Sequence, residues 1–73
     1  MMRKYLKDIR KKAGLSQVQI AKKLGMAQTN YSAIESGKTK TMTAQVMKQI
    51  ANICGVKVNH IMNEELRYGL NRG

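Results

Sequence analysis

Proline, tryptophan and phenylalanine are absent from this chain, and three tyrosines are its only aromatic residues. Strands favour aromatic and β-branched residues, so this scarcity points to helices. Cysteine occurs once, as Cys54, which excludes an internal disulfide. With a single histidine, His60, there is no Cys/His ligand set for zinc. The chain is therefore expected to fold without oxidation, metal or cofactor, as suits a cytoplasmic protein. No run of about 20 apolar residues exists to span a bilayer. The start Met1-Met2-Arg3-Lys4-Tyr5 leads into no apolar signal region, so no membrane partner is expected.

Acidic residues are also scarce. Four Asp and Glu stand against 14 Lys and Arg, a formal net charge of +10. Charge of that sign can serve solubility alone, but its field also attracts polyanions, nucleic acid foremost. The 73 residues make one domain. A chain so short buries only about 60% of its unfolded surface, which leaves little room for a substrate pocket. No nucleophile–base pair, paired carboxylates, phosphate-cradling glycine loop or metal cluster stands out, and an enzyme is not expected.

Apolar periodicity and glycine punctuation divide the chain into five helices. The first is expected over about Met2–Ala13, with Leu6, Ile9 and Ala13 inward and Arg3, Lys4, Lys7, Arg10, Lys11 and Lys12 on its other faces. The second runs over Gln17–Leu24 behind Ser16-Gln17-Val18-Gln19, which has the S-x-x-Q form of a capping box. Ile20, Ala21 and Leu24 point inward. The third runs over Gln28–Ser36 with Tyr31 and Ile34 as core. The fourth, Ala44–Cys54 behind Thr43, repeats Met47, Ile50, Ala51 and Cys54 at helical spacing. The fifth starts near Val58 and carries Ile61 and Met62, and a loose tail is expected over 67–73 after a domain of 1–66. His60 reads as a surface residue, Cys54 and the methionines as core filling.

Two short helices joined through Gly25, with small Ala21 inside the first, have the geometry of a helix-turn-helix. The stretches Leu15-Ser16-Gln17, Ile20-Ala21-Lys22-Lys23-Leu24-Gly25 and Ile34-Glu35-Ser36-Gly37-Lys38 follow in order. Together they resemble the Cro/repressor (XRE-type) helix-turn-helix family over about Leu6 to Met62. That resemblance implies an all-α, compact five-helix lambda-repressor-like domain that binds double-stranded DNA.

A helix of this kind enters the major groove with its first turns against base edges. Gln28, Thr29, Ser32, Ala33 and Ser36 share the face opposite Tyr31 and Ile34. Gln28 can bond adenine through N6 and N7, Thr29 and Ala33 can meet a thymine methyl, and Ser32 can serve base or phosphate. These are the expected base contacts. Ser16 and Gln17, at a helix N-terminus, and Lys38, Thr39 and Lys40, in the following loop, are the expected backbone contacts. The resemblance further implies that Gln17 braces Gln28 or meets the DNA backbone, and that Arg10 and Glu35 form an ion pair. Lys22, Lys23 and the lysines of the first helix supply a diffuse field.

The sequence departs from the family pattern at Ala27, where Ser or Thr usually caps the third helix, and at Tyr31, usually aliphatic. Its loop before the fourth helix lacks proline. The expected function is a sequence-specific transcriptional regulator, in the first instance a repressor, acting as a homodimer on a palindromic operator. One short helix reads four or five base pairs, too few for specificity without a second half-site. Ile53, Val58 and Met62, with Leu66 next in line, are the expected dimer interface on the fourth and fifth helices. The alternative is an antitoxin-like or adaptor module, in which the Val46/Ile53 face and the tail bind a protein partner rather than a second copy.

Overall fold

Two helix starts follow from short-range chemistry that the sequence already displays. Ser16 Oγ accepts from Gln19 N–H at 3.1 Å while Gln19 Oε1 accepts from Ser16 N–H at 2.8 Å, a complete capping box. Thr43 Oγ1 accepts from Val46 N–H at 3.2 Å. Ala27 offers no such group, and the third helix begins without a side-chain cap. The computed structural model describes residues 1–71. Its helices are α1 (Lys4–Lys12), α2 (Gln17–Leu24), α3 (Gln28–Ser36), α4 (Ala44–Cys54) and α5 (Val58–Asn71). Among the described residues there is no strand.

The turn between α2 and α3 is set by Gly25, at φ +72°. Gly25 N–H reaches Lys22 O and Met26 N–H reaches Ala21 O at 3.0 Å, the paired bonds of a Schellman turn. α2 thereby turns into α3 within three residues and lies packed against it. α4 packs on α2 and α5, and α1 on α3 and α4. Leu6, Ile9, Ile20, Ala21, Leu24, Tyr31, Ile34, Met42, Ile50, Ala51 and Ile61 form the core, with Met47, Cys54 and other half-buried residues around it. Met42 precedes the Thr43 cap, and Met47 lies four residues after that cap. These are the two positions of a hydrophobic staple, and both residues belong to the core or its margin.

The two ends of the chain differ from expectation. α1 starts at Lys4, not Met2, because Arg3 turns inward and is 0% exposed. Ala13 lies past the end of α1 and is exposed rather than core. α5 continues past residue 66 through Asn71. Tyr68 falls on the buried face of that extension, seven residues after Ile61, and its hydroxyl donates to Met1 O at 2.6 Å. Arg72 and Gly73 of the expected tail lie outside the described residues.

Gly37, at φ +89°, ends α3 where a side chain would overlap the Met1 carbonyl and meet Tyr68 Oη at 2.8 Å. At Gly25 an added Cβ meets nothing within 4 Å. Gly25→Ala should therefore cost only the left-handed backbone strain, about 1–2 kcal/mol. Gly37→Ala should cost more, because Met1 or Tyr68 must also move. Urea midpoints of the two variants check this, and equal losses would contradict it.

Candidate nucleic-acid interface

Glu35 sits in the last turn of α3, 1% exposed, in a chain otherwise crowded with positive charge. Arg10, from α1, donates Nε to its Oε2 at 2.9 Å and Nη2 to its Oε1 at 3.0 Å. Gln17 Nε2, from α2, donates to Oε1 at 3.0 Å, and Tyr31 Oη, one turn earlier in α3, donates to Oε2 at 2.8 Å. Arg10 Nη1 also donates to Leu15 O at 2.8 Å, tying down the link between α1 and α2. The Arg10–Glu35 pair is thus a buried bidentate bridge. It also answers the departure at Tyr31, whose hydroxyl finds the carboxylate.

Burial alone would raise the carboxyl pKa of Glu35, but the hydrogen bonds from Arg10, Gln17 and Tyr31 outweigh it and hold it below the usual range. Burial, reinforced by the bond to Glu35, pushes the Tyr31 hydroxyl well above its ordinary pKa. Tyr5 behaves likewise through burial and its bond to Glu65. Burial also raises the Cys54 thiol, which suits a structural residue. The one acid within the helix-turn-helix is therefore neutralised inside the fold and lends no negative charge to the surface.

Gln28, Thr29, Ser32, Ala33 and Ser36 line one open depression together with Lys38. Gln28, Thr29 and Ser36 are exposed, and Ser32 and Ala33 half-buried. Ser36 Oγ donates weakly to Ala33 O at 3.3 Å. The depression carries amide and hydroxyl groups, two methyl-bearing side chains and one ammonium, with no acid in its lining. Because Ala27 supplies no cap, the first N–H groups of α3 are left without a side-chain acceptor. Lys38, Thr39 and Lys40 are exposed in the loop that follows.

Gln17 turns its side chain toward the buried cluster. Its amide is engaged with Glu35, and no hydrogen bond joins it to Gln28. The reason is proximity to a buried carboxylate, the stronger acceptor. Ser16 accepts from Gln19 N–H, which leaves its own O–H available to donate outward. Of the expected interface residues, Ile53 and Val58 are half-buried against the core, whereas Met62 is exposed. Leu66 and Leu70 follow Met62 at four-residue steps, both exposed, and the three line a groove with Met47, Glu65 and Gly69.

Sequence reasoning missed Arg3, Glu65 and Tyr68, which form a second polar cluster beneath the loop. Arg3 pairs with Glu65 across 62 positions of sequence, and no local pattern signals such a pair. A signal for the acceptor side does exist. Ile61, Glu65 and Tyr68 recur at i, i+4 and i+7, so a longer α5 would place all three on one face.

The titrations give a two-sided expectation for stability. Glu35 has a depressed folded pKa, so its contribution is present above the unfolded value, about 4.3, and is lost as pH falls through the folded one. Tyr5 and Tyr31 have raised folded values, so theirs is present below about pH 10 and lost as pH rises beyond it. Urea midpoints should fall on both sides, and Tyr5→Phe/Tyr31→Phe should flatten the alkaline side. An alkaline limb that is identical in the double variant would contradict the assignment. Glu35→Ala should cost about 3–5 kcal/mol, because Arg10 is left buried without its partner.

A helix-turn-helix family model matches residues 6–61. No curated protein and no solved structure matches the chain. No group of three or more His, Cys, Asp or Glu among the described residues could hold a metal ion. None of the described helices is long and apolar enough to cross a membrane. With its capped α2, glycine turn, polar-faced α3 and matched span, the chain belongs to the Cro/repressor (XRE-type) helix-turn-helix family, a family of DNA-binding regulatory domains rather than catalysts.

Proposed function

We propose that this protein is a sequence-specific transcriptional repressor that binds a palindromic operator as a homodimer. The observation that carries the reading is the depression lined by Gln28, Thr29, Ser32, Ala33, Ser36 and Lys38. Gln28, Thr29, Ser32 and Ala33 are the base-reading set, and all four are short or neutral, as close approach to base edges requires. Lys38, Thr39 and Lys40 hold the adjacent phosphates, with Ser16 O–H and the Gln17 backbone N–H at the α2 N-terminus. Lys22 and Lys23, exposed on α2, add long-range attraction without sequence preference.

The homodimer reading moves from Ile53 and Val58, which serve the core, to Met62, Leu66 and Leu70 on α5. These are 47%, 66% and 76% exposed, a continuous apolar stripe. Charge favours a second copy there. The span 58–71 holds two acids and one arginine, whereas the chain as a whole is +10, so two copies meet along their least repulsive faces. A protein partner of the antitoxin or adaptor kind would use the same stripe, and the state of the isolated chain in solution separates the two readings.

Gln28→Ala should cost about 1–3 kcal/mol of discrimination at its own base pair. Lys38→Ala should weaken all sequences alike and reduce the salt slope by about 0.9. Selection from a random duplex pool, repeated with each variant, tests this together with half-site spacing. Unchanged preference in Gln28→Ala would remove α3 as the reading element. Sedimentation should show a dimer that Leu66→Lys dissociates, and a strict monomer at high micromolar concentration would sink the homodimer reading.

A further inference from the structure

Arg3 is one of 14 basic residues, yet it is 0% exposed and so contributes no guanidinium to any surface. Its Nη1 donates to Ile34 O at 2.6 Å and to Thr39 O at 2.7 Å, and its Nη2 donates to Lys40 O at 3.0 Å. Its backbone N–H donates to Glu35 O at 2.8 Å. Two of these carbonyls belong to the last turn of α3, and two to the loop beyond it. α3 has no basic residue of its own in that turn, so Arg3 supplies from another part of the chain the cation that a helix C-terminus favours.

The guanidinium is itself fixed from behind. Glu65 Oε1 accepts from Nε and Oε2 from Nη2, both at 2.9 Å. Tyr5 Oη donates to Glu65 Oε1 at 2.7 Å, and the Tyr68 ring lies 4.7 Å from the guanidinium carbon. Only a planar fork meets a carboxylate on one edge and three carbonyls on the other; a lysine ammonium cannot span them. Thr39 N–H closes the loop on Ala33 O at 3.0 Å, and Gly37 is pressed against Met1 and Tyr68. Lys38 thus stands between two residues whose backbones are held.

We propose that Arg3 is a positioning residue for DNA binding: it sets the shape of the 37–41 loop and thereby where Lys38 and Lys40 present their charges to the phosphate backbone. This rests on the reading that those lysines contact DNA. Glu65 serves as the brace that keeps the Arg3 fork in register. Arg3 itself touches no DNA, and its effect on binding passes entirely through the loop.

The test compares Arg3→Lys, which keeps the charge, with Lys38→Ala/Lys40→Ala and with the triple variant. Duplex affinity is measured against salt concentration, at temperatures where circular dichroism shows each variant folded. Arg3→Lys should reduce the salt slope by about 0.9 for each phosphate that a lysine no longer reaches. It should also accelerate hydrogen exchange at the Thr39 amide and add nothing in the triple variant. If Arg3→Lys fails to fold, Glu65→Gln, which keeps an acceptor for the fork, is read in the same way. An unchanged slope in a folded Arg3 or Glu65 variant, beside a lowered slope in the double lysine variant, overturns the proposal while leaving the lysines as phosphate ligands. A double lysine variant that binds like the original chain overturns the phosphate-binding role of the lysines itself.

Discussion

Removing a carboxylate from water costs several kcal/mol unless its oxygens are met by donors, and Glu35 meets that condition with donors drawn from three helices. Arg10 commits α1, Gln17 commits α2, and Tyr31 and Glu35 commit α3. The angle between the two helices of the motif is therefore held by charge-assisted hydrogen bonds as well as by Ala21 and Leu24 in the core. The same bonds have an electrostatic consequence. They hide the one acid of the motif, so the exposed face of α3 and the loop after it carry only neutral groups and lysines.

The core holds no phenylalanine or tryptophan, and its one fully buried aromatic, Tyr31, is also a member of a polar cluster. All three tyrosines hydrogen-bond: Tyr31 to Glu35, Tyr5 to Glu65, and Tyr68 to Met1 O. Among the described residues no buried side-chain nitrogen or oxygen lacks a partner. A half-satisfied network would be worse than an apolar core, so the completeness of these clusters is what makes them compatible with a stable small domain. The Arg3–Glu65 cluster draws the chain before α1 and the far end of α5 together beneath the loop that follows α3.

Division of labour among the basic residues follows from burial. Arg10 and Arg3 are structural, each committed to a carboxylate and to backbone carbonyls. The exposed lysines of α1 and α2 and the loop lysines carry the external field. Guanidinium suits the first task because it is planar and multidentate, and ammonium suits the second because it is compact and well hydrated.

Local patterns in the sequence were enough for the helices α2, α3 and α4, their caps at Ser16 and Thr43, the turn at Gly25 and most of the core. Capping, glycine turns and apolar periodicity act within a few residues, and so they can be read from neighbours. The polar face of α3 was legible for the same reason, as the complement of Tyr31 and Ile34. What only the tertiary structure decided involves partners distant in the chain. Arg3 turned from an expected surface charge into a buried anchor, and the Gln17 amide found Glu35. Tyr68 anchors the extension of α5, and the expected apolar surface lost Ile53 and Val58 to the core and gained Leu70 beside Met62 and Leu66. Each depends on which groups the fold brings within about 3 Å of one another, the range of a hydrogen bond, and sequence spacing carries no record of that distance.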